Sequence, residues 1–287
     1  MDLLVETRSA TMRFGDFTAV DGVDLSVRSG EVVGLLGANG AGKTTLIRML
    51  LGLLLPTRGS VLLFGGAPSR SARRRVGYVP QTLGLYDDLT VAENWAFTAA
   101  AFGTAHPEVP ESVSGSRREL VRDLSLGLQR RVAFALAFSH DPELLVLDEP
   151  TSGVGPLSSA QLWEDIRASA EQGTGVLVTT HNMEEAEQCD RLVVMAGGRV
   201  VAAGTLGQVI GDRHVVQVTC DDWRSAFAAL DGDGFIVQVQ GDQLRIPGSP
   251  ARVEELFQRH HLLGKLAVVP ANLEEAFVEI GASESRP

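Results

Sequence analysis

A chain of 287 residues, 44% hydrophobic and 21% charged, can bury a full core and has length to spare for a second, smaller one. Its formal net charge of -11 argues against bulk affinity for nucleic acid, which needs a basic footprint that releases counterions from phosphate. Two cysteines, Cys189 and Cys220, with no CxxC and no histidine at ligand spacing, argue against a disulfide framework or a zinc site and suit a reducing cytosol.

The amino terminus mixes Asp2 and Glu6 with Leu3, Leu4 and Val5, so it lacks the basic start and long apolar run of a signal peptide. From Ser9 to Gly34, runs such as Thr11-Met12-Arg13-Phe14 and Val23-Asp24-Leu25-Ser26-Val27 alternate apolar and polar residues between turn residues, predicting an antiparallel sheet. Val32 to Leu36 is different, a continuous apolar run of the kind buried on both faces of a parallel sheet. A helix is predicted over Leu46 to Gly52. The longest apolar stretch, Met49 to Leu55, is far short of the roughly 20 residues a membrane-spanning helix needs. Any membrane association is therefore expected through a partner. Arg73, Arg74 and Arg75 read as a solvated face rather than a nucleic-acid patch.

Three more apolar runs, Leu144 to Leu147, Val176 to Thr179 and Leu192 to Met195, continue the parallel-sheet pattern, with helical stretches between them. After about Val209 the pattern restarts as strand, helix, strand, strand, helix, strand and a last helix from Leu273. That is the β-α-β-β-α-β order of a ferredoxin-like module. It holds no constellation of titratable groups, so a docking or dimerising role is expected ahead of ligand sensing. The expected architecture is α/β, a parallel sheet core with an antiparallel edge sheet, over residues 1–212, followed by a small α+β domain over 213–287.

Gly37-Ala38-Asn39-Gly40-Ala41-Gly42-Lys43-Thr44-Thr45 fits G-x-x-x-x-G-K-[ST], preceded by an apolar strand and followed by a helical run. The glycines let backbone N–H groups converge on phosphate, and the helix N-terminus adds positive potential. Lys43 would reach the β- and γ-phosphates and the Thr44 hydroxyl would bind Mg2+. Lys43 is one of only two lysines in an arginine-rich chain, a compact ammonium kept where a point charge must fit.

Leu144-Leu145-Val146-Leu147-Asp148-Glu149-Pro150 is a buried strand ending in two acids, at the strand end where α/β sheets bind ligands. Successive strand residues project to opposite sides, so Asp148 can serve Mg2+ while Glu149 acts as general base on a water. His181 also follows a strand, and beside these motifs it reads as a γ-phosphate contact.

Together these residues resemble the ABC transporter ATPase family, over about Thr7 to Leu206. The resemblance implies ATP and Mg2+ as ligands. It makes Phe14 the aromatic that stacks on adenine, with Phe17 the weaker candidate. Gln81, in Gly77-Tyr78-Val79-Pro80-Gln81, matches the glutamine that touches Mg2+ and its waters and senses the membrane subunit. Asp148 and Glu149 match the Walker B pair and His181 the switch histidine. Ser125 and Gly127, in Leu124-Ser125-Leu126-Gly127-Leu128, match signature residues that meet the γ-phosphate on a second ATP-binding subunit. A helical subdomain is implied at about 82–138, abridged by some ten residues, with Pro107, Pro110 and serines in place of helix.

The runs His181-Asn182-Met183-Glu184-Glu185-Ala186-Glu187 and Asn272-Leu273-Glu274-Glu275-Ala276-Phe277 are most similar to ABC-2 type exporters of the daunorubicin-resistance and sodium-extrusion kinds. In such relatives a separate transmembrane permease exports a small molecule such as a drug or antibiotic, and the ATPase sits peripherally on the cytoplasmic face of the membrane. Two departures stand out. Leu126 replaces a signature glycine, where positive φ or a close approach is expected, and Gly155 stands where the D-loop carries Asp. They keep open a second reading, a regulatory subunit that binds nucleotide and hydrolyses little. A soluble ABC ATPase acting on ribosomes or DNA is disfavoured by the acidic balance and the single ATPase unit.

Overall fold

The computed structural model describes residues 2–104 and 109–284, and Pro107 lies outside them. The chain divides into two compact units, 1–205 and 206–287. The division falls before the expected 212 because the short helix Leu206–Ile210 packs on the last helix, Leu273–Glu284, and Arg213 just beyond it pairs with Glu279 at 3.2 Å.

In the first unit β1 (Leu3–Phe14) and β2 (Phe17–Arg28) form a long hairpin, and β4 (Arg58–Leu63) joins β1 to give an antiparallel sheet in the order β2-β1-β4. The second sheet contains β3 (Val32–Leu36), β5 (Val76–Val79), β6 (Leu144–Asp148), β7 (Gly175–Thr180), β8 (Arg191–Ala196) and β9 (Arg199–Gly204). Its order is β5-β6-β7-β3-β8-β9, parallel from β5 to β8 with β9 antiparallel at the edge. Every residue of β3, β6 and β7 is buried, which is why these strands read as unbroken apolar runs. Burial on both faces leaves the strand ends as the only places where their polar groups reach a cavity.

Val5, Val27, Leu35, Leu46, Ile47, Leu63 and Leu177 join one core, packing the antiparallel sheet and the helix Lys43–Leu50 against the larger sheet. That helix starts earlier than the predicted Leu46 because Gly42, at φ 101°, ends the loop and caps it. A satellite core of Val91, Trp95, Val113, Val121, Leu124, Val132 and Leu136 holds together the helices Val91–Phe102, Glu111–Ser114 and Leu126–Phe138. Thr90 and Glu93 start the first of these with a reciprocal capping box.

The second unit contains β10 (His214–Thr219), β11 (Gln238–Gln240), β12 (Gln243–Pro247) and β13 (Lys265–Pro270), with helices Trp223–Gly232 and Pro250–Arg259 between them. The sheet order β11-β12-β10-β13, with every neighbour antiparallel, is the split βαβ topology. Its strands alternate, and Val216, Val218, Leu244 and Ile246 face the two helices. A buried Arg245–Glu275 pair at 2.6 Å, with Asn272 and Glu275 bonding each other's backbone N–H, fastens the last helix. Among the described residues no helix is long and apolar enough to cross a membrane.

Candidate functional site

The loop after β3 is shaped by contact as much as by conformation. A Cβ on Gly37 would lie 2.5 Å from the Met195 carbonyl oxygen, and one on Gly42 would lie 2.4 Å from that of Ala19. Gly42 also needs its positive φ, which a side chain would strain. At Gly37 and Gly42 the loop therefore lies against β8 and β2 with no room for a side chain. It opens on a cavity of ≈ 460 Å³ lined by Asn39, Gly40, Ala41, Gly42, Lys43, Thr44 and Thr45 together with Phe17, Ala19, Gln81 and Glu149. That size falls within the range of small-molecule sites, and the helix Lys43–Leu50 presents its N-terminus there.

Lys43 is 6% exposed. Its Nζ donates to the carbonyls of Gly37 at 2.6 Å and Ala38 at 3.3 Å, and lies 3.9 Å from Glu149 Oε1. Burial lowers its pKa, against the charges of Glu149 and Asp148.

β6 ends on Asp148 and the chain then turns sharply. Asp148 Oδ2 accepts from Thr44 Oγ1 at 3.1 Å and Oδ1 from Thr179 Oγ1 at 2.6 Å. Glu149 has φ 52°, a left-handed conformation that costs a non-glycine residue about 1–3 kcal/mol and persists only where its surroundings over-determine it. Its N–H bonds Thr179 Oγ1 at 3.0 Å. Its carboxylate accepts from Gln81 Nε2 at 3.2 Å and lies 3.4 Å from His181 Nδ1. The structure thus gathers Lys43, Thr44, Gln81, Asp148, Glu149 and His181 at the ends of β3, β5, β6 and β7.

Other residues fall elsewhere. Phe17 lines the cavity and Phe14 does not. The two are cross-strand partners about the hairpin turn at Gly15 and Asp16, and the strand leading on from Phe17 carries Ala19, which also lines the cavity. Ser125 caps the helix Leu126–Phe138, accepting from Leu128 N at 3.4 Å, and neither Ser125 nor Gly127 lines this cavity. Leu126 does not take positive φ. It is the first residue of an ordinary helix, 44% exposed, with its Cδ2 over the Gly153 turn. Gly155 precedes the helix Pro156–Glu171 without a side-chain cap.

Three polar residues that hold this site in shape are not among those the sequence motifs single out. Thr179 is next to last in β7 and bonds both acids' segments, and the Thr-Thr pair closing an apolar strand is its signal. Arg130 shares a helical face with Ala133, Phe134 and Ala137, all buried, so its period marks it as inward-facing while Arg131 is exposed. Glu185 is buried and accepts from the hydroxyls of Thr151 and Thr180. Nothing in Glu184-Glu185-Ala186-Glu187 tells which acid turns inward.

A second cavity, ≈ 370 Å³, is mostly apolar, lined by Leu51, Leu53, Tyr78, Leu83, Phe102, Leu136 and His140 among others. It has no phosphate-binding loop. Among the described residues no three His, Cys, Asp or Glu side chains cluster to hold a metal.

A family model described as ABC transporter matches residues 20–152. The chain is 40% identical over 216 residues to the probable multidrug ABC transporter ATP-binding protein YbhF of Escherichia coli, covering 71% of this chain and 37% of that protein, so it spans little more than a third of that relative's length. It is 37% identical over 305 residues to the Nod factor export ATP-binding protein I of Cupriavidus metallidurans, with 100% of both chains covered. A solved ATP-binding subunit of an ABC transporter superposes with a TM-score of 0.67 at 32% identity, covering 72% of this chain and 91% of that one. A dimeric ATP-binding cassette holding ADP and Pi gives a TM-score of 0.62 at 23% identity, with 71% and 99% covered, a likeness of fold.

Proposed function

The chain belongs to the ABC transporter family of ATP-binding proteins, and from that premise we propose that it hydrolyses ATP to drive a separate membrane permease that exports a small molecule. The observation that carries the reading is the Glu149 carboxylate at the mouth of the phosphate-loop cavity, with Gln81, His181 and Lys43 within 3.2, 3.4 and 3.9 Å.

Lys43 exchanges the loop carbonyls for the β- and γ-phosphates of ATP, and the Phe17 ring offers the adenine a stacking face at the cavity rim. Glu149 orients a water and takes its proton as the water oxygen bonds to the γ-phosphorus; the bond from that phosphorus to the bridging oxygen breaks, leaving ADP and phosphate. His181 contacts the γ-phosphate and holds Glu149 in place. Gln81 reports the state of the site to the permease.

Thr44 Oγ1 and Asp148 Oδ2 are 3.1 Å apart, a hydroxyl and a carboxylate that suit Mg2+. Two protein oxygens without a full cage fit a cation that keeps waters and takes the rest of its shell from substrate phosphates. Bound there, Mg2+ supplies charge neutralisation between the phosphate oxygens.

The relatives' names, multidrug and Nod factor export, support an exporter whose cargo is a drug, antibiotic or similarly amphipathic compound. Ser125 and Gly127, outside this chain's own cavity, are assigned to the nucleotide of a second ATP-binding subunit. The chain is placed at the cytoplasmic face of the membrane through its permease, with the 206–287 unit as an accessory domain. Purified chain, alone and with its permease in lipid, should bind Mg-ATP and turn it over, and Glu149→Gln should abolish turnover while sparing binding. Tight binding without turnover by the wild type in both settings would replace the motor with a regulatory partner.

A further inference from the structure

Glu149, Pro150 and Thr151 are each held from outside their turn. Pro150 has no N–H to give, the backbone bond that spans Glu149 and Pro150 is a long one, Ser152 N to the Glu149 carbonyl at 3.3 Å, and Val154 N to the Thr151 carbonyl at 3.0 Å ties only the following residues. Arg130, on the helix Leu126–Phe138, reaches across and donates from Nη1 to the carbonyls of Glu149 at 3.0 Å and Pro150 at 2.7 Å. The next residue, Thr151, is tied by its hydroxyl to the buried Glu185. Arg130 is 8% exposed and its Nε has no hydrogen-bond partner, so the side chain is buried for the two carbonyls and not for a carboxylate fork.

We propose that Arg130 is a positioning residue for Glu149, gripping the two carbonyls so that the left-handed turn keeps the Glu149 carboxylate between Gln81, His181 and Lys43. The proposal rests on the reading of Glu149 as the base. Arg130 does not line the cavity, so it acts on Glu149 from behind the site. Burial lowers its pKa while the charges of Glu149 and Glu185 support it, so the guanidinium also serves as a fixed countercharge behind the site. Without it, the Pro150 carbonyl loses its partner, the Glu149 carbonyl keeps only the long bond from Ser152 N, and a backbone conformation that non-glycine residues avoid loses part of its hold.

The test uses the full chain and compares wild type, Glu149→Gln, Arg130→Met and Arg130→Lys for ATP turnover, ATP affinity and melting midpoint. Methionine keeps an unbranched apolar stem and the helix propensity; lysine keeps a donor that can reach toward both carbonyls. Expected is a fall in kcat of about tenfold for Arg130→Met with KM for ATP within about twofold, a lower melting midpoint that leaves the chain folded at the assay temperature, and recovery of most turnover in Arg130→Lys. Wild-type kcat in Arg130→Met overturns the proposal. So does a loss of turnover that arrives with equal losses in ATP affinity and melting midpoint and is not recovered by lysine. A wild type without turnover overturns the proposed function and this proposal together, and the wild-type arm identifies that case by itself.

Discussion

The two units handle buried strands in opposite ways. In the first, β3, β6 and β7 are covered on both faces, and their polar residues are pushed to one end, where Asp148, Glu149, Thr179, Thr180 and His181 follow one another across neighbouring strands. In the second, β10 and β12 alternate inward Val216, Val218, Leu244 and Ile246 with outward Gln217, Gln243 and Arg245, so polar groups are spread along the sheet. A sheet that admits no polar side chain along its length concentrates its chemistry at its edge. An alternating sheet spends its charges on holding its own helices, as Arg245 does with Glu275.

Four experiments bear on that contrast. The largest effect belongs to the first unit's strand end: Glu149→Gln should lower kcat by about 100- to 10,000-fold, the range for a general base, with ATP binding retained. Next, Glu275→Ala leaves the mostly covered Arg245 side chain without its carboxylate, bonded only to Gln217 and the Pro270 carbonyl, and should cost about 3 kcal/mol in the second unit. Calorimetry should show that unit melting early while ATP turnover at 25 °C is kept; turnover lost along with it would mean that the two units stand or fall together.

Packing inside the first sheet gives a smaller effect. In Gly34→Ala the new Cβ would meet Cys189 Sγ at 2.7 Å and Leu192 Cδ2 at 2.9 Å, and overpacking of this kind costs about 1–3 kcal/mol. Adding Cys189→Ala should return part of it in a denaturant titration. No recovery would show that the strand has no room to use.

The smallest effect is a pH dependence. Burial lowers the pKa of His140 from its ordinary 6.5. The folded chain then binds its proton less readily than the unfolded chain does. Stability from this group is full above 6.5 and declines as pH falls through 6.5 toward the lowered folded value. His140→Phe, which can keep the stack on Phe102, should flatten the melting midpoint between pH 7 and pH 5, by about 2 °C. An unaltered pH profile would assign the acid sensitivity to carboxylates.

Much of this is legible from residues in order. The unbroken runs at Val32, Leu144 and Val176 predict strands buried on both faces, and each is found so. The second unit's elements occur in the predicted order, with the second strand only three residues long, Gln238–Gln240. Three strands escape the pattern, β4, β5 and β9, because each mixes glycine or arginine into a short run and is paired by its neighbours rather than by its own propensity. The phosphate loop, the two acids and His181 are visible because their types and flanks are dictated by chemistry, and Gln81 through the family resemblance alone.

The sequence by itself determined which residue types stand at the strand ends and where each sheet begins, since burial period and glycine spacing are local properties of the chain. Only the tertiary structure decided that Phe17 rather than Phe14 lines the cavity, that Leu126 sits in an ordinary helix, and that Arg130, Thr179 and Glu185 hold the turn around Glu149. The reason is physical. A side chain that serves another residue 19 or more positions away has its partner chosen by how helices and strands stack, and no local pattern carries that information.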